Sequence, residues 1–158
     1  MILIGVSLFI VILFALYLNK QAHYIKLADL KQYTIDNREY LTEVSEQLLE
    51  WQEDKVEIYR NRTELPTSSN IDKLYSDIKI HHIFVEHNSL DSEDNVYITL
   101  KERKGNFFCG IYYSPSGKLL EYGTPQEGDR CENTGNRHIY RSEKICDNWY
   151  YYEDDTWN

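Results

Sequence analysis

Hydrophobic positions along the chain fall into three regimes. Residues 1–18 are apolar except at Gly5 and Ser7, and as a helix rising about 1.5 Å per residue this run would span roughly 27 Å, close to the hydrocarbon thickness of a bilayer. Over residues 27–58 the positions 27, 30, 34, 37, 41, 44, 48, 51, 55 and 58 step by alternating threes and fours, and they hold Leu, Leu, Thr, Asn, Leu, Val, Leu, Trp, Lys and Ile. That spacing places them on one seam of a helix. Beyond Lys79 the period becomes two: IHHIFVEH, VYITLKER, NFFCGIYY, KLLEY, HIYR and WYYYE read as strands, and turn signals at Lys104-Gly105-Asn106 and Ser114-Pro115-Ser116-Gly117 favour antiparallel hairpins.

These regimes predict an α+β protein with an N-terminal transmembrane helix at residues 1–18 and a helical stem over 19–60. A connecting loop at 61–70 (NRTELPTSSN) then leads to a small antiparallel β-rich domain of four to six strands, residues 71–158, packed on the stem. Asp36 followed by Glu39 reads as a capping pair that restarts the stem helix after a break near Thr34. Thr34, Asn37 and Lys55 interrupt the seam, so its Leu41, Val44, Leu48 and Trp51 are expected to cover the domain's own sheet rather than a second chain. After the loop, Asn70 is placed to cap a short helix presenting Ile71, Leu74, Tyr75 and Ile78.

The leader decides the cellular context. It has no basic residue before it and no small-residue cleavage pattern in LYLNKQ, so it reads as an uncleaved anchor rather than a signal peptide, and residues 1–18 are expected to contact membrane lipid. Lys20, Lys26 and Lys31 follow the span, which favours a single-pass protein with its body on the cytoplasmic side. Three cysteines in a compact, tyrosine-rich region argue the other way. The chain carries 17 Lys and Arg against 26 Asp and Glu, a net charge of −9. Without runs of clustered cations along the sequence, a nucleic-acid partner is not expected.

Candidate chemistry is sparse. Cys109, Cys131 and Cys146 have no C-x-x-C spacing, which removes the strongest zinc and dithiol signatures. Cys109, between Phe108 and Gly110, reads as a packed thiol, whereas Cys131 and Cys146 bracket a 14-residue loop whose closure by a disulfide in an oxidising compartment would contribute roughly 3 kcal/mol. His81 and His82 are strand neighbours and are expected on opposite faces. No catalytic, metal or cofactor set emerges, and an enzyme is not favoured. The dense cluster Trp149, Tyr150, Tyr151 and Tyr152 offers aromatic area for an unidentified protein partner. The expected function is a membrane-anchored binding or structural module, with a small tethered enzyme as an alternative.

The order of apolar N-terminal helix, helical continuation, irregular connection, antiparallel sheet and late cysteine pair resembles the layout of type IV pilin-like proteins. That resemblance implies a minor-pilin-like subunit. Where that family has a basic leader ending in Gly and a Glu at the fifth mature position, this chain departs from it, with MILIG lacking Lys and Arg and with Ile10 fifth from Val6.

Overall fold

The stem helix breaks once, about two turns after Leu30 has entered the core. In the computed structural model, which describes residues 25–52, 56–87, 94–117, 130–135 and 138–155 (backbone alone at 130–135 and 138), α1 spans Leu30–Asp36 and α2 spans Arg38–Trp51. The break falls at Asn37, three residues beyond the expected Thr34. The Asn37 backbone N–H and its Nδ2 both donate to the Tyr33 carbonyl at 3.0 Å, capping the end of α1, and the Leu41 N–H closes α2 onto the Asn37 carbonyl at 2.9 Å. Thr34 and Ser45 lie on the buried seam, each hydroxyl donating to the carbonyl four residues earlier, at 2.8 and 3.0 Å. Such back-bonds satisfy a hydroxyl inside a helical interface and keep the seam continuous.

The described strands form one seven-stranded antiparallel sheet: β1 (Val56–Tyr59), β2 (Ile80–Glu86), β3 (Asn95–Lys104), β4 (Phe107–Tyr113), β5 (Arg130–Gly135), β6 (His138–Cys146) and β7 (Trp149–Asp154), in the order β1-β2-β3-β4-β7-β6-β5. The α+β class with an antiparallel sheet is thus the architecture. Six strands come from the region beyond Lys79, and β1 is added from a stretch the helical seam had claimed. The stem is correspondingly shorter than residues 19–60, because its helix ends at Trp51. Within the expected connecting loop, Arg62–Glu64 makes a 3-10 turn and α3, Ser69–Asp77, has begun. β5 lies where a cysteine-bracketed loop was expected, and it pairs with β6 over its whole length. The segment KLLEY and the proposed transmembrane run lie outside the described residues. Among those described, no helix is long and apolar enough to cross a membrane.

Alternation gives the sheet two different faces. Ile83, Val85, Val96, Ile98, Leu100, Ile111, Tyr113 and Trp149 join Leu41, Val44 and Leu48 of α2 and Ile71 and Leu74 of α3 in one core. Trp149 Nε1 donates to Thr42 Oγ1 at 3.1 Å, and the Tyr113 hydroxyl donates to Glu46 at 3.1 Å. The stem therefore covers the domain's own sheet, with one correction: Trp51 is 43% exposed and lies 5.4 Å from the Tyr59 ring instead of on the covering face. The opposite face carries Tyr97, Tyr112, Tyr140, Tyr150 and Tyr152 as a second cluster, with Tyr112 stacked on Tyr150 at 4.8 Å.

Candidate functional site: a basic groove at one end of the sheet

Cations scattered through the sequence are gathered by strand pairing. Arg60 follows β1, Lys79 precedes β2 and Lys101 stands in β3, where its N–H donates to the Lys79 carbonyl at 2.8 Å. With Arg62 and Tyr75 they line an open groove of about 190 Å³ at this end of the sheet. Arg62 builds one wall: its guanidinium bonds Asp72 at 2.7 Å and the Leu65 and Ser68 carbonyls at 3.3 and 3.4 Å. Glu64, the neighbouring acid, accepts from Asn61 Nδ2 at 2.7 Å and from the backbone N–H groups of Arg60 and Asn61 at 2.8 and 3.3 Å. Those hydrogen bonds, Asn61's first, hold its carboxyl below the usual range.

The Tyr75 hydroxyl is buried at this groove and has no hydrogen-bond partner among the described residues. Burial pushes its pKa up to about 12, the Arg62 charge opposing and Glu64 assisting, so the phenol stays protonated as a donor. A buried donor left unmade costs about 1–3 kcal/mol, and Tyr75 lines the same groove as Arg60, Lys79 and Lys101, cations of the kind that bind an oxyanion. A sequence reading that saw Tyr75 only as one member of a helix face had no means of finding it, because the groove exists only once β1, β2 and β3 are paired.

A histidine pair adjoins the cations. The β2 register shifts between Ile80 and His82, and this one-residue bulge places both imidazoles on the tyrosine face, correcting the expectation of opposite faces. Their Nδ1 atoms are 2.7 Å apart, His82 Nε2 is 2.9 Å from Thr99 Oγ1, and Thr99 Oγ1 is 2.5 Å from the Tyr152 hydroxyl. Burial first, then His81 and Arg60, press the His82 pKa down to about 4. Burial and the charges of Arg103, Lys101 and Arg60 likewise lower that of His81. The pair is a neutral hydrogen-bonded element on the tyrosine face, within the field of Arg60, Lys101 and Arg103.

The residues singled out from sequence lie elsewhere. Trp149, Tyr150 and Tyr152 are 0%, 2% and 5% exposed and Tyr151 is half-buried, so strand alternation packs this aromatic block into the two faces of the sheet. Cys131 pairs in register with Ser142, four residues along β6 from Cys146. Four residues of strand are roughly 13 Å, whereas bridged Cα atoms lie within about 7 Å, so this register does not bring the two cysteines together. Cys146 is a free thiol, and so is buried Cys109, whose pKa is pushed up to about 11 by burial and then by Glu153. Cys109 donates to the Glu102 carbonyl at 3.1 Å. Glu153, 5% exposed, accepts from Lys104 at 2.6 Å and Tyr151 at 3.0 Å, with Arg141 at 3.6 Å. Burial pushes its carboxyl up, but these partners outweigh it and leave the pKa low. Among the described residues no group of three or more His, Cys, Asp or Glu is placed to hold a metal ion.

Fold and site together define an α+β domain with helices on one sheet face and a basic groove at one sheet end. Compared with known protein families, with curated proteins and with solved structures, the chain matches none of them.

Proposed function

We propose that this chain is a single-pass membrane-tethered binding module whose basic groove takes an anionic ligand, its body facing the cytoplasm. The observation that carries the reading is the groove in which Arg60, Arg62, Lys79 and Lys101 converge, with Tyr75 in its lining. The apolar run 1–18 supports the tether, and Lys20, Lys26 and Lys31 beyond it support the orientation.

Two measurements on the full chain test this. Alkaline carbonate washing of membranes is expected to leave the chain at its intact mass in the pellet. Recovery in the wash would remove the tether, and a trimmed mass would favour the pilin-like alternative. In detergent micelles, titration with pyrophosphate is expected to shift the backbone amide resonances of Lys79 and Lys101 and to leave Ile145, at the opposite end of the sheet, in place. Unmoved Lys79 and Lys101 resonances would sink the anion-binding reading.

A further inference from the structure

We infer that the anion this groove accepts is the phosphate of an anionic lipid headgroup, so that the domain rests on the bilayer by the basic end of its sheet; this builds on the tethered-module reading above. The path of the chain is the first argument. The Ile25 N–H donates to the Asp77 carbonyl at 2.8 Å, two residues before Lys79. The Leu27 N–H donates to Glu102 Oε2 at 3.3 Å, beside Lys101. The chain therefore enters the domain at the groove. Only residues 19–24 separate Ile25 from the apolar run, and six residues reach at most roughly 20 Å even when fully extended. A polar interface several ångströms deep covers the hydrocarbon on each side, so phosphate lies within reach of the groove.

Charge polarity is the second argument. A chain of net charge −9 is repelled by an anionic surface unless it presents a cationic end. Arg60, Lys79, Lys101 and Arg103 supply that end; they outnumber the Glu64 and Glu102 carboxylates near them, while Asp72 is paired with Arg62 at 2.7 Å and Asp77 with Lys73 at 2.8 Å. The other end of the sheet carries Glu86, Asp94 and Asp147, the last two beside His87 at 3.4 Å and Lys144 at 3.6 Å. Attraction and repulsion thus favour the same orientation. The tether then selects the source of phosphate: a shallow groove holds a free ion weakly, whereas anchoring presents headgroups at a high effective concentration.

The test uses the full chain in vesicles of phosphatidylcholine alone or with about a quarter phosphatidylglycerol. Acetylation of Lys79 and Lys101 by a membrane-impermeant reagent is followed by mass spectrometry, with Lys144 at the far end as internal reference. Phosphatidylglycerol is expected to slow both lysines about fivefold relative to Lys144, the factor that corresponds to one cation held at an anionic surface. High salt should abolish the slowing. The double variant Arg60→Gln/Lys101→Gln should lose it at Lys79 while keeping the fold, since both side chains are exposed. Equal rates in the two vesicle types, with the chain still resistant to carbonate, would overturn the headgroup inference and leave the tether standing. Equal slowing by inorganic phosphate on pure phosphatidylcholine would assign the groove to free phosphate instead. Release of the chain by carbonate would overturn the tether and the inference with it.

Discussion

At His82 a single side chain links fold to solvent conditions. It is 6% exposed, and its pKa of about 4 stands below the ordinary 6.5. Between those values the unfolded chain binds the extra proton, so stability falls as pH drops through this window. The loss should reach roughly 2 kcal/mol by pH 5 and level off near 3 kcal/mol below pH 4. Urea midpoints at pH 7 and 5 for the detergent-solubilised chain measure it. His82→Gln should flatten that interval, and an unchanged pH slope in the variant would assign the effect to other groups. A Cβ at Gly110 would collide with the Ile98 carbonyl oxygen and lie 3.0 Å from Tyr152 Cε1. Gly110→Ala is therefore expected to destabilise by about 1–3 kcal/mol or more, read as a lowered melting temperature, whereas exposed Glu50→Ala should change little. Neither constraint was legible in the sequence. The His81 bulge carries no Gly or Pro to mark it, and Gly110 sits in an apolar run where only the neighbouring strands show why a side chain is excluded.

Periodicity served best for elements that bury one face. The α2 seam Leu41, Val44, Leu48 and the strands Asn95–Lys104 and Phe107–Tyr113 lie where their patterns placed them. It failed where two periods coincide: Trp51 and Ile58 sit at helical spacing, yet α2 ends at Trp51 with Gln52 already extended, and Ile58 of β1 pairs with Phe84 of β2. It also failed at β5, because RCENTG has almost no alternation and is defined by its partner β6. If α2 is the cover of the sheet, Leu48→Ala should cost about 2–5 kcal/mol through the cavity it leaves. Glu46→Gln retains an acceptor for the Tyr113 hydroxyl and should stay within about 0.5 kcal/mol. Thermal melts of the two variants check this, with size-exclusion chromatography as the control. A dimer that dissociates on Leu48→Ala without loss of the fold would make the seam a partner helix.

On the scale of the whole molecule, topology turns on the charges that flank the apolar run and on the cysteines. The case for an oxidising compartment leaned on three cysteines in a compact, tyrosine-rich region; the β5–β6 register sets Cys131 opposite Ser142 rather than Cys146, and Cys109 and Cys146 are free thiols. The lysines following the apolar run then carry the proposal of a cytoplasmic body, and an anionic inner leaflet is the surface the basic groove suits. Accessibility of the thiols tests that placement. Cys146 borders an open depression formed with Arg38 and Asn37, whereas Cys109 is 0% exposed and its raised pKa leaves little thiolate at neutral pH. In intact cells a membrane-impermeant maleimide should label neither residue. Permeabilisation should expose Cys146 while Cys109 waits for denaturant. Labelling of Cys146 before permeabilisation would place the body outside the cell, and a Cys131–Cys146 disulfide in non-reducing peptide maps would show that the β5–β6 register changes in an oxidising compartment.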